Sequence, residues 1–195
     1  MKPLLADELI EYAEYERQRD EFRRKIIALK QARRLAVGPQ VTLLFENRET
    51  LQFQIQEMVR AERIVDPAKV QEELDVYNAL LPGPGELSAT LFIEITDSAD
   101  IKRDLDAFQG IDRGPTVSLY VGAERAYGEF EGGRSNEVKI SAVHFVRFAP
   151  SAAWLAVLAD SASPAHVRIE HGAYRYEVAV PPALREQWRR DLASA

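Results

Sequence analysis

The stretch LLFENRETLQFQIQEMVRAERI, residues 43–64, decides how this chain folds. It predicts a short buried strand, a polar corner at 46–48 and a helix that is apolar on two sides. At about 100° per residue, one face of that helix carries four apolar residues: Leu51, Ile55, Met58 and Val59. Phe53 and Ile64 fall on the opposite face. A helix that only covers a core needs one apolar face, so we expect this one to be contacted on two sides.

Charged residues enter the same helix. Glu62 is expected to project into the first apolar face, and Gln56, Arg60 and Arg63 lie between the two faces. If the first face is packed, the Glu62 carboxylate must be paired or protonated, and Glu57 adds a second carboxylate nearby. Such a group can act as a general acid or a metal ligand, whereas a structural ion pair gives the same pattern without catalysis.

The polar corner consists of Glu46, Asn47 and Arg48, where the strand leads into the helix N-terminus. Asn47 suits the N-cap position, and Glu46 there favours the helix dipole. Alternatively, the free N–H groups and Arg48 bind an anion such as phosphate or carboxylate. The spacing matches no phosphate-loop motif, which favours the structural interpretation.

Residues 7–35 predict one long helix that ends before Gly38-Pro39. Between Arg23 and Arg34 there are six basic residues and no acidic one. Four basic residues form a stripe beside the aromatic face of this helix: Arg19, Arg23, Lys30 and Arg34. An anionic partner, protein or nucleic acid, could dock on the stripe, although a solvated face whose aliphatic stems cover apolar residues is the commoner arrangement. The hypothesised interface combines this helix with the Gln56–Arg63 side of the second.

The rest of the chain predicts the fold class. A strand at 41–45 precedes the polar corner, and Asp66-Pro67 opens a third helix with an N-cap acceptor and a first-turn proline. The segment 82–85, Pro-Gly-Pro-Gly, suggests a boundary between residues 1–82, a helical lobe with one short strand, and residues 83–195, an α+β lobe, with one continuous core. After it we expect strands at 87–95, 116–121, 125–130, 138–148, 165–170 and 174–180, with turns at Gly132-Gly133 and His171-Gly172. Further helices are expected at 97–108, 151–159 and 182–192. The fold is therefore predicted to be α+β, a helical N-terminal half packed on a mostly antiparallel C-terminal sheet with a C-terminal helix.

Composition excludes several classes of protein. The chain has 195 residues, a net charge of −6 and no cysteine, which rules out disulfides, thiolate catalysis and cysteine-held metal centres. The negative charge argues against nucleic-acid binding as a function. Because the N-terminus lacks a signal-peptide pattern and no apolar run reaches the roughly 20 residues that span a bilayer, we expect a cytoplasmic protein without membrane attachment.

The three histidines give no metal-binding pattern. His144 alternates in register with apolar neighbours, which predicts a buried core histidine. His166 and His171 are five residues apart, a spacing that fits no standard ligand set. Dinucleotide and Walker motifs are also missing. The sequence thus predicts no bound metal and no cofactor.

Four blocks carry a resemblance to a known family: LLFENR at 43–48, QIQEMVRAERI at 54–64, QEELDVYNALLPGPGELSATLFIEI at 71–95 and KISAVHFVRF at 139–148. The chain is similar to an uncharacterised bacterial family, the domain of unknown function numbered three-five-zero-one. Members of that family are often encoded beside a rubrerythrin-like protein and an iron–sulfur oxidoreductase. The resemblance implies a role near redox or peroxide-defence chemistry and supplies no catalytic residues.

Two functions stay open. The favoured one is a non-catalytic accessory protein that binds another protein, such as a subunit of a redox enzyme. The alternative is a sensor or enzyme that binds a small anion in a pocket made by five residues: Glu46, Arg48, Glu57, Arg60 and Arg63. The alternative requires these side chains to converge. The sequence leaves the oligomeric state and any catalysis undetermined.

Overall fold

The structure is a computed structural model that describes residues 1–95, 101–132 and 140–194. Its helices are α1 (Tyr12–Arg33), α2 (Arg48–Ala61), α3 (Pro67–Asn78), α4 (Ile101–Asp106), α5 (Ala152–Ala159) and α6 (Pro182–Ala193). Its strands are β1 (Arg34–Ala36), β2 (Val41–Glu46), β3 (Leu87–Ile93), β4 (Val117–Val121), β5 (Glu124–Phe130), β6 (Val143–Phe148), β7 (Ala165–His171) and β8 (Tyr174–Ala179).

The described strands form one antiparallel sheet in the order β1-β2-β3-β6-β5-β4-β7-β8. The sheet curls until β8 meets the turn between β1 and β2. At this seam the Tyr174 hydroxyl donates to the Val37 carbonyl at 2.6 Å and accepts from the Val41 amide at 3.1 Å. Gly38 adopts φ +81°, and a Cβ added there would lie 2.6 Å from the Tyr174 hydroxyl and the Tyr176 ring. The seam therefore depends on glycine at position 38.

The inner face of the curled sheet holds the larger core. Alternate residues of β2 point into it, and Phe45 packs edge-on against Trp188 of α6 with ring centroids 4.9 Å apart. Trp154 of α5 lies in the same core, where its Nε1 donates to the Leu119 carbonyl at 3.3 Å. Helices α5 and α6 thus close the inner face. The outer face of β2, β3 and β6 is covered by α1, α2 and α3, and this arrangement confirms the predicted α+β class.

Helix α2 is contacted on two sides, as its sequence predicts. Leu51, Ile55 and Val59 are buried in a second cluster with Leu74 of α3. On the other side, the Phe53 ring lies 6.0 Å from that of Phe22 in α1.

Two details of the α2 prediction are wrong. Ile64 packs in the same cluster as Leu51, and Glu62 is exposed at the C-cap. The helix ends at Ala61 and Arg63 takes a left-handed φ of 53°, so helical periodicity does not extend to residues 62–64. Met58 is only half-buried.

The predicted helix at 7–35 is shorter than expected at both ends. Residues 6–8 form a 3₁₀ turn, and α1 begins after Glu11, whose Oε2 accepts from the Ala13 amide at 2.9 Å. Leu35 belongs to strand β1, where it pairs with Leu43 and is buried in the inner core. Gly38-Pro39 belongs to the turn after β1 and does not end the helix.

The remaining predicted elements are present with small shifts in their ends. The predicted helix at 97–108 is observed as α4, and the predicted strand at 138–148 as β6. Parts of these predictions, together with Gly133 of a predicted turn, fall in 96–100 and 133–139, outside the described residues. Within the part of the chain described, no helix combines the length and apolar composition needed to cross a membrane.

Candidate functional site

The polar corner is a buried hydrogen-bonded unit. Glu46 is 1% exposed and projects from the outer face of β2. Its carboxylate accepts from the Thr90 hydroxyl at 2.5 Å, from Gln54 Nε2 at 3.1 Å and from the Thr50 hydroxyl. Asn47 is the N-cap of α2, as predicted, since its Oδ1 accepts from the Thr50 amide at 2.9 Å. These bonds fix the start of α2 against β3.

Arg48 fastens the N-terminal segment to α2. Its guanidinium donates to the carbonyls of Lys2 at 3.2 Å and Pro3 at 3.3 Å and forms an ion pair with Glu8. The hydrogen bond from Arg48 is the main cause that lowers the pKa of Glu8.

Glu57 and Arg60 join α1 to α2. Glu57 accepts two hydrogen bonds from Arg19, at 2.8 and 2.7 Å, and one from the Tyr15 hydroxyl at 2.6 Å. The bonds from Arg19 are the main cause that lowers the pKa of Glu57, whereas burial raises the pKa of Tyr15. Arg60 pairs with Glu16 at 2.5 Å. These charged groups therefore form intramolecular ion pairs between α1 and α2.

The five residues of the hypothesised anion pocket do not line one pocket. Glu46 lies under α2, Arg48 faces the N-terminal segment, and Arg60 faces α1. Glu62 and Arg63 are exposed at the turn between α2 and α3. Partial burial is the main cause that raises the pKa of nearby Glu73, and the negative charge of Glu62 adds to the rise. The side chains of the alternative therefore do not converge, because Arg48, Arg60 and Glu57 each bind a separate partner.

The predicted basic interface is also largely occupied by internal bonds. Arg19 binds Glu57, and Arg34 pairs with Glu94. Gln56 is only 2% exposed. Its Oε1 accepts from the Ile10 amide at 2.9 Å, and its Nε2 donates to the Ile10 carbonyl at 2.8 Å. Gln56 cannot belong to an exposed interface. Of the stripe, Arg23 and Arg34 are exposed, and Arg34 is already paired.

Lys30 differs from the rest of the stripe because its side chain lies near the outer face of the sheet. It lines a cavity of about 340 Å³ between α1–α3 and the outer face of β2, β3 and β6, which we call the Lys30 groove. The groove is otherwise lined by Leu44, Gln54, Val76, Tyr77, Leu80, Thr90, Phe92, Val143 and Phe145. Burial lowers the pKa of Lys30, and its Nζ lies 5.2 Å from the centre of the Phe53 ring.

A second feature that the sequence did not reveal is an ordered set of tyrosines and arginines. Register places Tyr120, Arg125, Tyr127 and Arg168 on the outer face of β4, β5 and β7, and we call this surface the Tyr–Arg face. Arg125 lies 4.8 Å from the Tyr120 ring centre and 4.2 Å from that of Tyr127. Arg168 lies 4.5 Å from the Tyr120 ring and donates to its hydroxyl at 3.0 Å. Tyr127 is 48% exposed.

Arg33, the third feature missed from sequence, is fully buried between the sheet and α6. It donates to the carbonyls of Phe45 at 2.7 Å and Glu46 at 3.2 Å, to Gln187 at 2.9 Å, and to the carboxylate of Asp191. Burial raises the pKa of Asp191, and the charge of Arg33 opposes that rise. The helical spacing of α1 indicates which residues share a face, but it does not reveal this partner.

His144 is buried, as its alternation with apolar neighbours predicts. His144 is 1% exposed on the inner face of β6, with Nε2 at 2.9 Å from the Ser141 carbonyl. His166 and His171 lie on the unbroken strand β7, and strand alternation puts them on opposite faces. Among the described residues no group of three or more His, Cys, Asp or Glu side chains is arranged to hold a metal ion.

Comparison with known proteins identifies a family and a similar solved structure. A family model described as "Protein of unknown function (DUF3501)" matches residues 3–192. The chain is similar to the crystal structure of a novel protein of unknown function from Burkholderia pseudomallei K96243, with 31% sequence identity and a TM-score of 0.89. That match covers 98% of this chain and 100% of the other. A search of curated proteins found no significant match.

Proposed function

The chain belongs to the family of proteins of unknown function DUF3501, and from that premise we propose that it is a non-catalytic accessory protein that binds another protein through the Tyr–Arg face. The partner is a subunit of an iron–sulfur or rubrerythrin-type redox system in the bacterial cytoplasm. The redox assignment rests on the resemblance of the four sequence blocks. The docking surface rests on geometry.

The stacking of Arg125 between Tyr120 and Tyr127 is the observation that carries the proposal. Tyrosine and arginine are, with tryptophan, the residues most enriched among those that dominate binding energy at protein interfaces. Stacking also restricts the rotamers of these side chains before a partner arrives, so less conformational entropy is lost on binding.

The charges of the Tyr–Arg face indicate what a partner must present. Arg125 is 3.2 Å from Glu170, and Arg168 pairs with Glu177 on β8. The surface is therefore mixed in charge. It suits a protein surface in which carboxylates and carbonyls lie beside apolar side chains, and it is a poor match for a uniformly anionic polymer.

A quantitative co-purification from the source organism tests this function. We expect the double variant Arg125→Glu/Tyr127→Ala to lose a redox-enzyme subunit that the wild type retains. The matched control is Arg23→Glu, which places the same charge reversal on the exposed side of α1. With the purified partner, the double variant should bind at least about thirtyfold more weakly, because a single such anchor contributes about 2 kcal/mol.

The outcomes separate the two surfaces. If the double variant retains its partner while Arg23→Glu loses it, the interface is the α1 stripe predicted from sequence. If both variants retain every partner, the docking proposal is wrong. A partner without a redox centre would contradict the redox assignment alone.

A further inference from the structure

Strand register explains how the Lys30 groove forms. Across β2, β3 and β6 the outer face carries two successive rows, Leu44–Thr90–Phe145 and Thr42–Phe92–Val143. Rings and aliphatic side chains make most of the floor, and the helices form the walls. The cavity of about 340 Å³ is lined by both apolar and polar side chains, and its volume lies at the small end of the range for small-molecule sites.

Lys30 provides the positive charge of this groove. It forms no ion pair within the part of the chain that the structure describes, in contrast to Arg19 and Arg34, which bind carboxylates. An ammonium carries three donors, and partial burial removes some of the water that would otherwise accept from them. The groove therefore places an ammonium group, which can donate hydrogen bonds to a ligand, beside apolar side chains.

Two other polar groups of the groove already bond to Glu46. The Thr90 hydroxyl and Gln54 Nε2 both donate to the buried Glu46 carboxylate, which lies behind them. A negative charge at that depth attracts Lys30 and repels a second anion. Because Glu46 and Lys30 offset each other, a monoanion adds one uncompensated charge and a dianion adds two, so repulsion by Glu46 weighs more heavily against a dianion such as a phosphate monoester.

We propose that the Lys30 groove binds a monocarboxylate with an apolar body. The carboxylate accepts from Lys30 Nζ at the wall formed by α1, and the body lies on Phe92 and Phe145. This site is separate from the Tyr–Arg face, so the two proposals stand or fall independently.

Calorimetric titration of the full chain with octanoate tests the proposal. We expect saturable binding that is at least tenfold tighter than for octanol, which lacks the charge, and tighter than for octyl phosphate, which carries two charges near neutral pH. Lys30→Met removes the charge and keeps most of the stem, and it should weaken octanoate binding at least tenfold. The matched control is Lys25→Met on the same helix, where Lys25 is exposed and pairs with Glu21; this variant should bind like the wild type.

A second variant keeps the test valid if Lys30→Met disturbs folding. Val76 is 58% exposed at the mouth of the groove, so Val76→Trp narrows the entrance without entering a core, and it should also weaken octanoate binding. The proposal is overturned if no saturable octanoate binding occurs, if octanol or octyl phosphate binds as tightly, or if both Lys30→Met and Val76→Trp bind octanoate as well as the wild type.

Discussion

Replacing Arg33 with methionine tests the buried connection between α1 and α6. The guanidinium is completely buried and donates to two backbone carbonyls, to Gln187 and to the Asp191 carboxylate. Methionine fills much of the same volume and supplies none of these donors. The Asp191 carboxylate, itself only 5% exposed, then loses its counter-ion.

The expected loss of stability follows from what the variant leaves unpaired. Removing one member of a buried ion pair costs about 3–5 kcal/mol, and losing the hydrogen bonds to the two carbonyls adds about 0.5 kcal/mol each, the low end of what a typical hydrogen bond contributes. We expect a total of about 4–6 kcal/mol, a large part of the roughly 5–15 kcal/mol that stabilises a typical domain. With a urea m-value of about 2–3 kcal/mol/M, the midpoint of unfolding should fall by about 2 M.

The loss should depend on pH. Burial raises the pKa of Asp191, and Arg33 opposes the rise, so removing Arg33 raises this pKa further. A carboxyl whose folded-state pKa lies above its unfolded value contributes stability at low pH that is lost as pH rises through the folded-state pKa. The deficit of Arg33→Met should therefore be smaller at pH 5 than at pH 7.

A double-mutant cycle with Asp191→Leu completes the experiment. The double variant replaces both charges by apolar groups, so it should be more stable than the sum of the two single effects implies, by about 2–3 kcal/mol. A loss below 1 kcal/mol for Arg33→Met at pH 7, or two single effects that simply add, would refute this reasoning.

Four further predictions follow from the same structure. Gly38→Ala should destabilise by about 1–3 kcal/mol more than Gly114→Ala in urea unfolding, because both have positive φ but a Cβ at 114 meets open space; equal losses would mean the seam is not tight. Glu57→Gln should flatten the loss of thermal stability below pH 5, since the lowered pKa of Glu57 gives stability that is present above its unfolded value and is lost as pH falls through the folded one; an unchanged acid profile would contradict this. Ile55→Ala should cost about 2–5 kcal/mol, whereas the half-buried Met58 should cost about 1 kcal/mol when truncated, and the reverse order would contradict the observed burial. Elemental analysis after dialysis should find no stoichiometric iron, manganese or zinc, and finding one would replace the accessory role by a metal enzyme.

The helices and strands were largely predictable because their signals are local. Alternation and helical spacing identify most elements, and Asn47 and Asp66 act as N-caps because a cap needs only a neighbouring acceptor. Strand β1 was missed because three residues carry too little periodicity, and its pairing with β2 outweighs the helical tendency of the preceding sequence. The end of α2 was mispredicted because Arg63 has a left-handed φ angle, which helical periodicity does not reveal.

The sites were much less predictable. Arg33, Lys30 and Arg34 belong to one basic segment, yet the first binds Asp191, the second lines a groove and the third pairs at the surface. Which of them is buried depends on α6 and the sheet, which are distant in sequence. The Tyr–Arg face was missed for the same reason, since it requires β5, β4 and β7 to be neighbours.

The seam at Tyr174 also determines when the fold can be completed during synthesis. Its hydroxyl reaches the Val37 carbonyl across 137 residues of sequence. At about 5–20 residues per second, a ribosome needs roughly 7–27 s to make that interval. During this time β1 and β2 have neither β8 nor the ring of Trp188 to cover them. The nascent N-terminal part should therefore expose apolar strand surface that a chaperone can bind until the late strands and α6 emerge.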